Sequence, residues 1–401
     1  MVTRVTNSML QNTLLSNLSM NLNKMDKLQN QLSSGRKFGH ISDDPSALIY
    51  GQAARNKLAR LGHYQATVET AQSWLTQAES GILELNKVVG SIYEELVSAG
   101  SVKTDSDKQN LAKVVKQLQD HYLDTLNTSY GDRFVFGGYN TPGDYADAKD
   151  PTIRPFTIEN HPDADGNMRP NLFFNGFNLT QFDGLGSKDY EDMFRRTDIS
   201  GLHDGDAGAA ILASLDPSRG ITPANFQTEF GFTLQDAVTM NRLLNDELSF
   251  DVGAGISMPV TQNGIDVVFF TAADELGRPI VRNTFDLIQD IYIAINGDVN
   301  AVPPKAPAST EELTRLIGLI QGSQNHLTTR TAEIGGRQRR LELLEARYAQ
   351  DNLNYEGMRS DAEDADMAEV IMFLKMAETV YQAALSAGAR IIQPTLMDFL
   401  R

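Results

Sequence analysis

The chain has 401 residues, with Lys+Arg 35 against Asp+Glu 52 and a formal charge of −17. That acidic balance excludes a basic nucleic-acid footprint and speaks against docking on an acidic membrane surface. The absence of cysteine excludes disulfides, thiolate catalysis and thiolate zinc sites.

The length suits two or three domains with a sizeable core. Met1 to Asn12 shows no basic patch followed by an apolar h-region, and no apolar run is long enough for a bilayer span. Any export is therefore expected to use a route that reads something other than a cleaved signal peptide.

The first predicted helix runs from Thr6 to Ser34. Leu15, Leu18, Leu22, Met25 and Leu32 fall at heptad a and d positions. That seam can be buried only against another helix. Gln29 interrupts it, as a register-setting polar residue. Gly35 closes the helix in the left-handed conformation. Arg36 to Asp44 reads as a loop, and Asp44-Pro45 as an N-cap followed by a first-turn proline. Leu61, Tyr64, Val68, Ala71, Leu75, Ala78, Ile82, Leu85, Val89, Ile92, Leu96 and Ala99 then recur at spacings of three and four without a break. The period predicts a long coiled-coil-type helix with Trp74 beside its seam and Gly100 at its end. Another helix starts at Thr104 or Asp105, turns Leu111, Val115, Leu118 and Tyr122 inward, and ends near Gly131.

At Phe134 the period changes. Arg133-Phe-Val-Phe-Gly-Gly-Tyr139 alternates like a strand. From there to about Asn283, Gly, Pro, Asn and Asp punctuate short aromatic or β-branched runs such as Asn171 to Asn175, Phe250 to Gly253 and Ile265 to Thr271. This middle reads as a mostly β insert with at least one helix near Leu234 to Leu248. Helix returns at Asn283 and leads to Gly297, and Val302 to Pro307 is a stiff connector. Thr310 caps the second long helix, in which Ile320, Leu327, Ile334, Leu341, Tyr348 and Tyr355 recur every seventh residue. Gln324, Thr331, Gln338, Glu345 and Asn352 make the other seam position polar, which suits the flank of a bundle. Asp361 to Asp366 is an acidic hinge or the acidic first turn of a terminal helix. That helix carries Val370, Phe373, Ala377, Val380, Ala384, Ala387 and Ile391 on its seam, and apolar character continues through Leu396, Phe399 and Leu400. Chain ends are usually polar and frayed unless docked, so both apolar ends are expected to be contacts for other subunits.

The predicted fold class is mainly α with a β-rich insert. Both termini form a long antiparallel coiled-coil bundle, and a mostly β outer domain lies in the middle. Residues 1–50 form an inner helix that pairs with 360–401; 51–135 and 283–359 form a rod-like bundle; 136–282 form the insert.

No catalytic constellation is expected. His161-Pro-Asp-Ala-Asp-Gly-Asn167 loosely resembles a calcium loop, but lacks the terminal acidic ligand, and polar turn chemistry accounts for it. His203-Asp-Gly-Asp206 is weaker. His40, His63, His121, His161, His203 and His326 are scattered without metal-ligand spacing. No nucleophile elbow, P-loop or dinucleotide fingerprint is present. Neither a cofactor nor a metal is expected. Arg337, Arg339 and Arg340 read as a solvated helix face pairing with Glu333, Glu342 and Glu345.

Gln31-Leu-Ser-Ser-Gly-Arg-Lys37, followed by Ile41-Ser-Asp-Asp-Pro45, resembles the N-terminal signature of the flagellin superfamily. Glu363-Asp-Ala-Asp-Met-Ala-Glu369 resembles the opening of its C-terminal helix. Arg133-Phe-Val-Phe-Gly-Gly, Val380-Tyr-Gln-Ala-Ala-Leu385 and Gln393-Pro-Thr-Leu-Met-Asp-Phe-Leu400 resemble the hook-associated protein 3 branch. Lys37-Phe-Gly-His40 departs from the usual pattern. The resemblance covers roughly residues 1–140 and 280–401.

It implies a structural subunit of the bacterial flagellum at the hook–filament junction, exported without a cleaved signal peptide and located outside the cell. The implied partners are identical subunits in a ring, a hook-side hook-associated protein, flagellin, and an export chaperone on the C-terminal helix. Terminal helices that order only on assembly are a further implication. The rival readings are a filament flagellin, an enzyme housed in the insert, and a coiled-coil adhesin.

Overall fold

The computed structural model describes residues 7–39, 44–100, 104–131, 133–138, 154–162, 168–245, 248–297 and 307–392. The Val302–Pro307 connector falls outside them, except for Pro307. The chain forms two compact units. One comprises Met1–Gln65 with Glu345–Arg401, and the other Ala66–Leu344.

In the first unit, α1 (Asn7–Ser34) and α11 (Met367–Ile392) pack antiparallel. The first turns of α2 (Pro45–Ala99) and the last turns of α10 (Thr310–Glu363) complete the unit. Gly35, at φ 70°, ends α1 as expected, and its N–H donates to the Gln31 carbonyl at 2.9 Å. Asp44 caps α2, its Oδ1 accepting from the amides of Ser46 at 3.1 Å and Ala47 at 3.0 Å. Those bonds, led by the Ala47 amide, hold the Asp44 carboxyl below its ordinary range.

The second unit is built on the rest of α2. Val68, Ala71, Leu75, Ala78, Ile82, Leu85, Val89, Ile92, Leu96 and Ala99 are all buried, so the predicted seam is the observed one. α10 runs antiparallel to it in this unit and buries Ile320, Leu327, Ile334 and Leu341. One of its polar seam positions finds a polar partner across the pair. Gln338 donates to Glu79 at 3.0 Å, and neighbouring Thr328 accepts from Asn86 at 3.2 Å. Trp74 is buried, edge-on to Tyr130 with ring centroids 6.2 Å apart.

After Thr104, whose hydroxyl accepts from the Asp107 amide, comes α3 (Asp105–Leu126). It packs on α9 (Thr284–Asn296), which Asn283 caps. Thr284 Oγ1 donates to the Val268 carbonyl at 3.0 Å and lies 2.9 Å from Ser323 Oγ, tying α9 to α10.

The middle of the chain is more helical than its composition suggests. Small antiparallel sheets are present: β1 (Ser129–Tyr130) with β2 (Arg133–Phe134), and a three-stranded sheet of β3 (Phe156–Pro162), β4 (Met168–Phe174) and β5 (Phe177–Asn178). Asn175-Gly176, both at positive φ, form the turn between β4 and β5, the usual solution for a two-residue hairpin. β6 (Ser249–Gly253) pairs with β7 (Ile256–Pro259), and β8 (Phe269–Ala273) with β9 (Pro279–Asn283).

Between them lie α4 (Ser187–Tyr190), which widens into a π-turn over Glu191–Arg195, then α5 (Asp204–Ser214), α6 (Phe226–Phe230), α7 (Leu234–Leu244) and α8 (Gly264–Val268). The helix expected near Leu234 to Leu248 is α7. The Ile265 to Thr271 run is not one strand. Asn263 caps a helical turn through Val268 before β8 begins, because the cap and burial on every side outweigh β-branched propensity. Phe182, Phe194, Phe226 and Phe232 are fully buried and pack together tilted or edge-on, Phe182 and Phe232 with centroids 4.4 Å apart.

Candidate assembly surface

The break between α10 and α11 positions the terminal helices. Asp366 Oδ1 accepts from the amides of Ala368 at 2.9 Å and Glu369 at 3.2 Å. The acidic stretch is thus both a helix break and the cap of α11. Across from it, the Lys37 amide donates to the Glu363 carbonyl at 2.7 Å, and the Ala365 amide to the Gly35 carbonyl at 2.9 Å. Glu363 is buried and forms an ion pair with Arg55. These bonds clamp the end of α1 beside the start of α11.

Beyond the clamp the two helices zip together. Leu28, Val370 and Ala377 are buried, with Met25, Leu32, Phe373 and Leu374 packed against them. Asn21 Nδ2 donates to the Ala377 carbonyl at 3.1 Å, and Lys24 Nζ lies 5.9 Å from the Phe373 ring centroid. A Cβ on Gly388 would stand 2.8 Å from Leu14 Cδ2, so the far end of the pair is also close.

The predicted site residues divide accordingly. Val370 is buried, and Leu18, Met25, Leu32, Phe373 and Ala384 are half-buried on the α1–α11 seam. Leu15, Leu22 and Val380 are 64%, 46% and 52% exposed. The buried register of α1 is therefore Leu14, Leu18, Asn21, Met25, Leu28 and Leu32. Gln29 lies on the exposed side and does not interrupt it. On α11 the seam passes through Tyr381 and Gly388 rather than Val380 and Ala387. Ile391 lies in α11, its side chain outside the described positions, and Leu396, Phe399 and Leu400 lie outside the described residues.

Met20, Ile371, Met372 and Met376 join Leu15, Leu22 and Val380 as large apolar side chains left on the surface of this helix pair. On α2, Ile49 and Tyr50 are exposed as well. So much uncovered apolar area is the usual mark of an interaction surface.

The rejected chemistry resolves into local contacts. Asp204 forms an ion pair with Arg242 at 2.7 Å, and His326 Nε2 donates to the Asp266 carbonyl at 2.7 Å. Arg339 pairs with Glu342 at 2.9 Å, as expected. Arg337 instead reaches the Pro259 carbonyl at 3.4 Å and the Thr261 carbonyl at 3.5 Å. The expected Glu pairing is replaced because those carbonyls lie within reach of its long side chain. Residues 163–167 of the calcium-like stretch, and His40, lie outside the described residues. Among the described residues no group of three His, Asp or Glu is placed to hold a metal, and no helix is long and apolar enough to cross a membrane.

Residues 5–141, which include α1, α2 and α3, match the family model of the bacterial flagellin N-terminal helical region. Over 140 residues the chain is 24% identical to flagellar hook-associated protein 3 of Salmonella typhimurium, covering 34% of this chain and 44% of that one. Over 117 residues it is 27% identical to the protein of the same name from Escherichia coli, covering 29% and 37%. The matched segments span less than half the length of these relatives.

A solved chain described as a flagellar hook-associated protein from Vibrio parahaemolyticus has the same fold at a TM-score of 0.50 and 13% identity, covering 80% of this chain and all of that one. Gln31 to Lys37, which carry the resemblance read from the sequence, lie within the segment that matches the flagellin N-terminal model.

Proposed function

We propose that the chain is a structural subunit of the bacterial flagellum that forms a ring at the hook–filament junction and adapts the hook end to the filament. The observation that carries this reading is the α1–α11 pair. It buries one seam within the chain and leaves a second apolar set, including Leu15, Leu22, Met376 and Val380, at the surface. Apolar residues left exposed along two helices are what a self-assembling chain needs for identical neighbours. The match to the flagellin N-terminal region and the names of the relatives fit the same role.

On this reading the surface contacts identical subunits around the ring, a hook-side hook-associated protein below and flagellin above. Before export the same apolar face of α11 is held by a chaperone, and the chain leaves the cell through the flagellar export apparatus.

Deletion of the gene in a motile host tests the role, read by electron microscopy and by immunoblot of the medium. Hooks without filaments, with unpolymerised flagellin in the medium, are expected. Hooks bearing normal filaments would overturn the junction assignment. Short or absent filaments without released flagellin would point to a filament subunit.

A further inference from the structure

The start of α9 holds a carboxyl group whose ordinary partner has been taken. In α7, Thr233 is the N-cap and Asp236, three residues on, closes a capping box by accepting from the Thr233 amide at 2.9 Å. Asn283 and Asp286 stand in the same relation in α9. There the Asn283 amide donates instead to Asp183, at 2.6 Å, from the turn that follows Thr180–Phe182. Asp286 Oδ1 accepts from Thr180 Oγ1 at 3.1 Å, and its buried Oδ2 has no hydrogen-bond partner.

The charges around it are unbalanced. Arg282, on β9, reaches Asp183 at 3.2 Å and Asp290, on α9, at 2.7 Å. Arg169, on β4, lies 3.9 Å from Asp290. Asp183, Asp286 and Asp290 thus face one buried guanidinium, and that guanidinium contacts the other two acids.

We propose that Asp286 is a proton-holding site: it carries a proton at neutral pH, and its ionisation at alkaline pH loosens the joint between α9 and the turn at residues 180–183. The proton goes to solvent, leaving a second carboxylate beside Asp183. Burial, then the charge of Asp183, raises Asp286 well above the ordinary carboxylate range. Burial pushes Asp183 to about 6, against the pull of Arg282, so near neutrality Asp183 is the charged member. The positive end of α9 favours an ionised Asp286. It is outweighed because the amide that would focus that charge already serves Asp183.

The test uses the full chain and the fluorescence of Trp74, its only tryptophan and a buried residue of the same unit. Urea unfolding is followed from about pH 5 to 9 for the wild type and Asp286→Asn. The ratio of their unfolding constants is expected to rise about tenfold per pH unit from pH 5 to 7, with the wild type losing ground, as one proton held only in the folded state requires. A ratio independent of pH overturns the proposal.

If Asp286→Asn does not fold, the infrared spectrum of wild-type chain made with carboxyl-labelled aspartate decides. A protonated-carboxyl stretch that survives at about pH 7.5 and fades at higher pH is expected; its absence at pH 7.5 overturns the assignment.

Discussion

A Cβ placed on Gly51 would stand 2.7 Å from Cγ of Glu363, so the buried acid reaches Arg55 only because position 51 has no side chain. Elsewhere in an exposed helix, Gly→Ala gains about 1 kcal/mol. Here Gly51→Ala is expected to cost about 1–3 kcal/mol, since it drives out Glu363 and breaks a pair in which the acid side chain is only 7% exposed. Arg55, at 41% exposure, can turn to water, which keeps the loss below that of a fully buried pair. With Glu363→Ala already present the obstacle is gone, and Gly51→Ala should become stabilising. Urea unfolding of the four chains in this cycle, followed by circular dichroism, reads that change of sign. At His326, burial lowers the pKa below its ordinary value, with the Asp266 carbonyl pulling it partly back. The unfolded chain therefore binds the proton more readily. Stability from this residue is complete above about pH 6.5 and is lost as pH falls below it. His326→Gln should remove that acid-side loss from the Trp74 unfolding curve between pH 5 and 7, and an unchanged slope would contradict the assignment.

At the scale of the element, Ala377 and Val380 of α11 make a paired test of register. Ala377 is buried against α1 and Val380 is 52% exposed. Ala377→Asp puts an unpaired charge into the seam and should cost about 2–4 kcal/mol with loss of helicity. Val380→Asp should leave the monomer within about 0.5 kcal/mol of wild type, yet reduce assembly read by light scattering. Equal losses of helicity from both would refute the buried register.

These elements also show where the sequence was legible. The α2 seam was readable because every one of its positions from Val68 to Ala99 is apolar. The α1 register was displaced because Asn21 occupies a buried-seam position while Leu15 and Leu22 lie outside it. A rule that follows apolarity selects the leucines, whereas Asn21 holds the seam through its bond to Ala377. The Asp183–Arg282–Asp286 cluster was invisible for another reason. It joins residues about a hundred positions apart, and no local spacing announces it.

On the scale of the whole chain, burial is unequal between the two units, and this sets the order of unfolding. The second unit keeps the long α2 stripe, Leu316, Leu319, Ile320, Leu327, Ile334 and Leu341 of α10, and four clustered phenylalanines out of water. Among the described residues, the α1–α11 pair of the first unit has three buried apolar side chains, Leu28, Val370 and Ala377, and a ring of partly buried ones. In proteins most helical stability comes from tertiary packing of an amphipathic face. Stability within a protein follows local buried contacts, so the helix pair should open first. In dilute chain, limited proteolysis is expected to remove both ends before cutting within residues 66–344. Urea should abolish part of the helical circular dichroism before it moves Trp74 fluorescence. Self-association would cover the exposed residues of α1 and α11 and slow the trimming, by stabilising the ordered state through mass action. Coincident loss of helicity and fluorescence would mean that the chain unfolds as one body, and neighbours would then not be needed to hold its ends.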